Sequence, residues 1–224
     1  SVSIIDLKAS ADGAPLELIT GLHASALAVS PNRRHVVCAN AGSDTLSVID
    51  TRTRAVVETI WAKINPADLF GASPNALVFA PDGKSLYVAN GTQNAIAVIR
   101  FDPADRESRL AGLIPVGWFP AALVHDTARR QLIVANVKGM ASKAKKADSG
   151  ADGFNTHQYN GTVSLVPIPA RRTLPKLSET VSRNLRREAV LASRLPARSG
   201  VKPRPVPERI GEPSVFKHVI YIIK

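Results

Sequence analysis

The sequence is poor in several features that define common classes of protein. It has one cysteine, Cys38, in 224 residues, which excludes an intramolecular disulfide and a C-x-x-C-H haem attachment. Aromatic residues make up 5%, too few for repeat types built on stacked rings. No apolar run approaches the ~20 residues that cross a bilayer, so no membrane span is predicted. What is present is 45% hydrophobic residues, enough for a sizeable core.

The usual patterns of catalytic and metal-binding residues are also lacking. No H-x-H or H-x-x-x-H pair suits zinc, and neither a G-x-S-x-G elbow nor a phosphate-binding loop occurs. In "DSGADGFN", Asp148 and Asp152 have the spacing of a calcium loop, but Gly150 and Tyr159 stand where further oxygen ligands belong. We therefore predict no catalytic, cofactor-binding or metal-binding residue in this chain. The five histidines are His23, His35, His125, His157 and His218.

The formal net charge of +11 belongs almost entirely to the last quarter of the chain. Residues 169–224 hold 13 Lys/Arg and 4 Asp/Glu, whereas residues 1–168 hold 16 and 14. An Arg-rich tail raises the possibility of nucleic-acid binding, but no aromatic side chains alternate with the arginines to stack on bases. We predict a solvated basic face, or one that docks on an acidic domain surface, and no nucleic-acid partner.

A sequence repeat runs through residues 1–168. The stretches "GLHASALAVSPNRRHVVCANAGSDTLSVIDT", "GASPNALVFAPDGKSLYVANGTQNAIAVIRF" and "GWFPAALVHDTARRQLIVAN" begin at spacings of 50 and 46 residues. The opening "SVSIIDL" matches the later "TLSVIDT" and is a further copy of the third strand. The aligned positions are Gly21, Gly71 and Gly117; Ala26, Ala76 and Ala122; Leu27, Leu77 and Leu123; and Asn40, Asn90 and Asn136.

Each repeat has the pattern of four short antiparallel strands joined by turns. In the first repeat these are residues 26–30, 35–40, 46–50 and 56–60, with "AGSD" as one of the turns. Four-stranded units of this length are typical of β-propeller blades, which bury their faces against one another. The sequence predicts an all-β propeller of about three blades plus one strand, a partial ring. The alternative is a β-sandwich with chance similarity.

A long insertion over residues 137–161 separates the second and third strands of the third repeat. Its composition predicts a solvated loop, and the alternative is a segment folded over a neighbouring domain, which His157 and Tyr159 could face. The triplets that begin at Asn90 and Asn160 fit the glycosylation sequon, but both also lie where a turn is required, and we prefer the turn.

Residues 169–213 are predicted to form a basic helix and a Pro-rich linker. The helix covers 174–195, with Thr173 as a candidate cap and Pro175 in its first turn. After it, "PARSGVKPRPVPERIGEP" predicts an extended, semi-rigid spacer. The apolar stripe of the helix is Leu177, Val181, Leu185 and Ala189, and its other faces carry Arg183, Arg186, Arg187 and Arg194.

The segment "LYVANGTQNAIAVI" at 86–99 resembles the YVTN repeat, named after its strand-ending tetrapeptide. Members of that family usually form seven-bladed propellers, many of them outside the cytoplasm, so the resemblance implies a periplasmic or secreted location. The repeats and the final "KHVIYIIK" together resemble a subgroup in which the propeller is followed by a phosphoesterase of the alkaline phosphatase superfamily.

This second resemblance implies that residues 214–224 are the first strand of a truncated phosphoesterase-like domain. The missing part would bind a divalent metal and hydrolyse phosphate esters, but the sequence stops before the Glu-Asn-Arg segment that carries an early ligand. We therefore expect a non-catalytic scaffold or interaction segment of a larger hydrolase, whose partner is its own C-terminal domain.

Two alternatives remain. One is a free-standing YVTN-repeat propeller that binds a protein, a glycan or a surface polymer. The other is a propeller enzyme of the lactonase or quinoprotein kind, which we disfavour because the matching strands do not bring His, Asp or Glu to equivalent inner positions.

Overall fold

A computed structural model describes residues 1–8, 14–66, 68, 71–139 and 160–222 of the chain. The chain divides into two compact units, Ser1–Val181 and Ser182–Lys224. Every strand of the described residues lies in the first unit, which also contains a 3-10 turn and most of one helix. Residues 140–159 of the predicted insertion 137–161, with the candidate calcium residues, lie outside the described residues, whereas Val137 and Lys138 belong to a strand.

Two four-stranded antiparallel sheets correspond to the first two repeats. Their strand order follows the sequence, so each sheet is a simple meander. Sheet 1 consists of β3 (Ala24–Val29), β4 (His35–Asn40), β5 (Thr45–Asp50) and β6 (Ala55–Trp61). Sheet 2 consists of β7 (Pro74–Phe79), β8 (Ser85–Asn90), β9 (Ala95–Arg100) and β10 (Arg109–Pro115). The strands predicted for the first repeat are confirmed to within two residues at each end.

The third repeat forms a sheet of three strands, where four were expected. Sheet 3 contains β11 (Trp118–Asp126), β12 (Gln131–Lys138) and β13 (Thr162–Pro167). After β13 the chain forms a 3-10 turn at Arg171–Thr173 and then a helix, so no fourth strand follows in the described part. At the start, β1 (Val2–Ile4) pairs with β2 (Leu16–Leu18), a strand that the sequence analysis did not predict.

Neighbouring sheets pack face to face and bury two apolar clusters between them. We call the side of a sheet that is turned toward the next sheet along the chain its forward face. One cluster joins the forward face of sheet 1 to sheet 2, and the other joins the forward face of sheet 2 to sheet 3. By register, forward-face residues are Val37, Ala39, Leu46 and Val48 in sheet 1, Tyr87, Ala89, Ile96 and Val98 in sheet 2, and Ile133, Ala135, Val163 and Leu165 in sheet 3.

The entry into each first strand repeats an unusual backbone conformation. His23, Ser73 and Phe119 each stand two residues after the opening glycine of a repeat, and their φ angles are 57°, 47° and 56°. A register shift follows each of them within three residues, between positions 24 and 26, 74 and 76, and 120 and 122. The positive φ and the bulge turn the chain sharply into each sheet. Three such recurrences show that the repeat copies backbone shape as well as side chains.

In the first and third repeats, the opening glycine lies against the asparagine that closes the second strand, whereas Gly71 of the second repeat lies against Asp44. A Cβ atom on Gly117 would lie 2.5 Å from Nδ2 of Asn136, and one on Gly21 would lie 2.8 Å from Cβ of Asn40. Nδ2 of Asn136 donates hydrogen bonds to the hydroxyls of Thr162 and Ser164 at 3.2 and 2.9 Å. In these two repeats the pairing of Gly with Asn is therefore a packing requirement.

The predicted helix over 174–195 is present as two shorter helices, α1 (Leu174–Asn184) and α2 (Arg187–Ser193). They are separated because Arg186 has a left-handed φ of 53°. Leu174 and Val181 of α1 are buried in the two apolar clusters. The hydroxyl of Ser178 accepts a hydrogen bond from the backbone N–H of Leu113 at 2.8 Å, which ties α1 to the outermost strand of sheet 2.

The Pro-rich segment of the second unit folds back on itself, whereas an extended spacer was predicted. The guanidinium of Arg198 binds both carboxylate oxygens of Glu212, at 2.6 and 3.1 Å. Arg204 forms a β-bridge with Ser214, which closes the loop. The hydrogen bonds from Arg198 to Glu212 lower the pKa of that carboxyl group to about 2. A buried carboxylate with an arginine partner organises this segment despite its prolines.

The apolar run at the end of the chain is exposed. Residues 215–222 form no strand within the described part, and the side chains of Val219 and Ile222 are more than four-fifths exposed. Residues 223–224 lie outside the described residues. The assignment of 214–224 to a further domain stays a prediction.

Candidate interaction surface

The forward face of sheet 3 is an apolar surface that no other sheet covers in the described part of the chain. Val163 and Leu165 are 65% and 63% exposed, whereas Ile96 and Val98 at the matching positions of sheet 2 are 0% and 9% exposed. Register places Val163 opposite Ala135 and Leu165 opposite Ile133, so their side chains form one continuous face. The same kind of surface that is core in two sheets is open in the third, which makes it the best candidate for an interaction.

The outer edge of sheet 3 adds hydrogen-bonding capacity to this apolar face. β13 pairs with β12 on one side only, within the described part of the chain. The matching strands β5 and β9 pair on both sides, with β6 and β10. An open edge of this kind is a template for strand addition. Sheet 3 can therefore accept a fourth strand as well as a neighbouring sheet.

A side-chain clasp joins each sheet to the start of the next one. Oδ1 of Asp44, in the turn before β5, accepts a hydrogen bond from the backbone N–H of Ser73 at 3.1 Å. Oδ1 of Asn94, at the same position of the next repeat, accepts one from the N–H of Phe119 at 2.9 Å. Both clasp residues have a φ above +50°, a conformation that Asn and Asp tolerate. The clasp fixes the entry of the following strand.

The clasp at Asp44 also contains a buried ion pair. Nζ of Lys63 lies 3.2 Å from Oδ2 of Asp44 and donates a hydrogen bond to the carbonyl of Asp68 at 2.9 Å. Both charged side chains are nearly buried, so removal of one would leave the other without compensation. This pair stabilises the connection between sheets 1 and 2. Because the two charged groups bind each other, neither is a good candidate to bind a ligand.

Both tryptophans lie at the end of the sheets that carries these clasps. Trp61 ends β6 and Trp118 begins β11, and they are 45% and 56% exposed. Nζ of Lys63 lies 5.5 Å from the ring centre of Trp61, and Nζ of Lys138 lies 4.9 Å from that of Trp118. Exposed tryptophan beside a cation is a common contact in binding surfaces. The sequence analysis did not single out either residue.

The structure does not bring the histidines together into a site. The ring of His35 meets Phe101 edge-on at 5.8 Å, and burial lowers its pKa. His125 lies 5.9 Å from the ring of Tyr87, and His23 is exposed in the turn before β3. His218 lies in the second unit, and His157 is outside the described residues. Across the described ranges, no group of three or more His, Cys, Asp or Glu could hold a metal ion.

Two other residues noted in the sequence have structural partners. Asn90 is fully buried, and its Nδ2 donates to the carbonyl of Ala62 at 2.7 Å and to Oε1 of Gln93 at 2.9 Å, so it is not accessible to glycosylation. Cys38 is buried in β4, and burial raises its thiol pKa. In the portion of the chain that is described, no helix has the length and apolar character to span a membrane.

Successive antiparallel meanders that bury apolar clusters between their faces are typical of β-propeller blades, as the repeat predicted. The chain belongs to the YNCE-like beta-propeller family, whose model matches residues 1–142. Comparison of the sequence with curated proteins finds no match.

Several solved structures resemble part of this chain. Hydrazine synthase of Kuenenia stuttgartiensis is 21% identical with a TM-score of 0.42, over 55% of this chain and 33% of that one. A protein from Lactobacillus plantarum is 27% identical with a TM-score of 0.47, over 55% and 37%. A proposed 6-phosphogluconolactonase from Bacteroides uniformis is 19% identical with a TM-score of 0.49, over 60% and 40%.

The chain spans about a third to two fifths of the length of these structures. Their similarity to it is partial in both sequence and shape, and no activity is transferred from them.

Proposed function

We propose that this chain is the non-catalytic scaffold of a larger propeller protein and that its forward face on sheet 3 receives a further blade of the same repeat. The observation that supports this proposal is the contrast between Val163 and Leu165 and their buried counterparts in sheets 1 and 2. In both internal interfaces, this face is covered by the next sheet along the chain. A blade of the same kind is therefore the occupant that matches the face in shape and in polarity.

We also propose that the larger protein contains a metal-dependent phosphoesterase domain after the second unit. Support comes from the resemblance of "KHVIYIIK" to the first strand of such domains and from the exposure of its apolar side chains. A β-prone run is unfavourable in water unless another element covers it. A periplasmic or secreted location belongs to the same proposal.

The decisive experiment compares residues 1–224 with the full-length gene product in phosphate-ester hydrolysis. Both are assayed with p-nitrophenyl phosphate and its bis-ester in Mg²⁺, Mn²⁺ or Zn²⁺, and then with a chelator. We expect turnover only by the full-length product, with loss of activity on chelation. Turnover by residues 1–224 would contradict the non-catalytic assignment. A reading frame that stops near Lys224, or a full-length product without activity, would refute the phosphoesterase domain.

The covering of sheet 3 is tested separately, by hydrogen exchange of the backbone amides of β13. In the full-length product these amides should exchange more slowly than in residues 1–224, because a further blade covers the face and pairs the edge. The amides of β9, already enclosed on both sides, are the internal control and should differ little. Equal exchange of β13 in both proteins would contradict the proposed blade.

A second candidate function is the binding of a glycan by a free-standing propeller. The exposed rings of Trp61 and Trp118, with a lysine beside each, favour it. Affinity gels containing bacterial surface polysaccharides should retard the chain, and Trp118→Ala should restore its mobility. Leu165→Ala, on the forward face, is the matched control and should leave retardation unchanged.

A further inference from the structure

A pocket of about 330 Å³ lies within the first unit, at the outer end of the forward face of sheet 2. Its polar side is formed by Lys84, Ser85, Tyr87, Arg100 and Arg171, and its apolar side includes Val98, Ile168 and Leu174. This volume is at the lower end of the roughly 300–1,000 Å³ found for ligand pockets. The pocket therefore suits a small molecule with one charged group and one apolar part.

The charge of the pocket is positive and only partly compensated. Among the described residues, neither Lys84 nor Arg171 has an ion-pair partner. Nη2 of Arg100 lies 2.9 Å from Oδ2 of Asp102, and Arg109 stands directly opposite Arg100 in the β9–β10 ladder. Like charges directly opposite each other destabilise a sheet unless a counter-ion is present. The arrangement favours an anion over a cation.

Tyr87 is a further feature of the pocket, besides its shape and its charge. Its side chain is part of the forward face and only 5% exposed, yet its hydroxyl has no hydrogen-bond partner among the described residues. The hydroxyl is therefore available to donate a hydrogen bond to a bound molecule. Burial and the nearby charge of Asp82 raise the pKa of Tyr87, so the hydroxyl stays protonated and remains a donor at neutral pH.

From these positions we infer that the pocket binds a small organic anion carrying a phosphate or carboxylate group. Lys84, Arg100 and Arg171 neutralise the anionic group, and the hydroxyls of Tyr87 and Ser85 donate hydrogen bonds to it. The apolar part of the ligand packs against Val98 and Leu174. Charge-assisted hydrogen bonds of this kind are the strong ones, and several directed at one group make the site specific.

The test is a calorimetric titration of the intact chain with phenyl phosphate, benzoate and benzyl alcohol at constant ionic strength. We expect one of the two anions to bind with one-to-one stoichiometry and the neutral alcohol to bind at least about tenfold more weakly. The anion that binds more tightly distinguishes a phosphate site from a carboxylate site. Binding of benzyl alcohol as tight as that of the anions would overturn the inference.

Variants of neighbouring arginines separate a built site from general charge attraction. Arg171→Gln should weaken anion binding about tenfold. Arg172→Gln removes an equal charge from the same 3-10 turn but does not line the pocket, so it should change binding less than twofold. An equal loss in both variants, or no loss in Arg171→Gln, would overturn the inference.

Two further variants test the assigned charges by changes that should leave the fold intact. Lys84→Gln changes an exposed side chain and should weaken binding without affecting the circular dichroism spectrum. Asp102→Asn releases Arg100 from its ion pair and should tighten anion binding a few-fold. If Lys84→Gln binds as tightly as the parent chain, or Asp102→Asn binds more weakly, the assigned charges are wrong.

Discussion

The forward faces of sheets 2 and 3 carry similar side chains in opposite environments. Ile96 and Val98 are buried between two sheets, whereas Val163 and Leu165 at the matching positions face solvent. Alternation along the strands is the same in both sheets, because period-2 patterning sets which face a residue takes. The comparison shows that the sequence of a blade specifies an apolar face but does not supply its cover.

The largest expected difference between the two faces is the cost of removing a side chain. Ile96→Ala should lower the free energy of unfolding by about 2–5 kcal/mol, because it leaves a cavity between two packed sheets. Val163→Ala should change it by no more than about 0.5 kcal/mol. Urea denaturation of both variants measures the difference. Similar costs would mean that the forward face of sheet 3 is covered in solution, for example by self-association.

Packing inside sheet 3 is expected to be as exact as in the covered sheets, although its forward face is open. Gly117→Ala should cost about 1–3 kcal/mol, because its Cβ would overlap the side chain of Asn136.

The double variant Gly117→Ala/Asn136→Ala is the matched control. The added cost of Gly117→Ala should be smaller in the Asn136→Ala background, since Cγ and Nδ2 are then absent. Additive costs in the thermodynamic cycle would contradict the shared-space explanation.

The clasp from sheet 2 to sheet 3 is expected to contribute less than a core side chain. Asn94→Gly keeps the left-handed φ but removes the acceptor for the N–H of Phe119, and it should cost about 1 kcal/mol. Asn94→Asp retains an acceptor oxygen and should cost less. Thermal unfolding ranks the stability of the two variants. If Asn94→Asp is less stable than Asn94→Gly, the hydrogen bond is ruled out as the cause.

The smallest expected effect concerns acid stability. Asp50 accepts N–H groups of Thr53 and Arg52 and binds Arg34, and these hydrogen bonds lower its pKa to about 2. Because this folded-state pKa lies below the unfolded value of about 3.9, its contribution is complete above that value and is lost as the pH falls toward 2.

The urea concentration at the midpoint of unfolding should therefore decrease as the pH is lowered from about 5 to about 2. The decrease should be less steep in Asp50→Asn. An unchanged slope in that variant would show that other carboxylates, such as Asp126 with its lowered pKa, dominate acid unfolding.

Much of the architecture follows from the repeat, and the errors have physical causes. Asp44 and Asn94 occupy the same offset in two repeats, so the clasp residues had a sequence signal. Their partners, the backbone N–H groups of Ser73 and Phe119, had none. The strand Leu16–Leu18 is short and follows no repeat boundary that would reveal it. The predicted helix is interrupted at Arg186 by a backbone conformation that side-chain periodicity does not encode.

The anion pocket was beyond sequence reasoning because its members come from separate segments. Lys84 and Arg100 are neighbours at the end of the β8–β9 ladder, and Arg171 joins them only where the 3-10 turn before α1 approaches sheet 2. None of them belongs to a motif. The unpartnered hydroxyl of Tyr87 becomes visible only once burial is known.

By itself, the sequence determined the strands, their order and the apolar faces, because these depend on local alternation, turn residues and a repeat that copies them. Only the tertiary structure decided which faces are covered, which polar groups meet across sheets and where charge remains uncompensated. Those properties depend on contacts between residues that are distant in the chain, and burial at such contacts is set by the neighbour as much as by the residue itself.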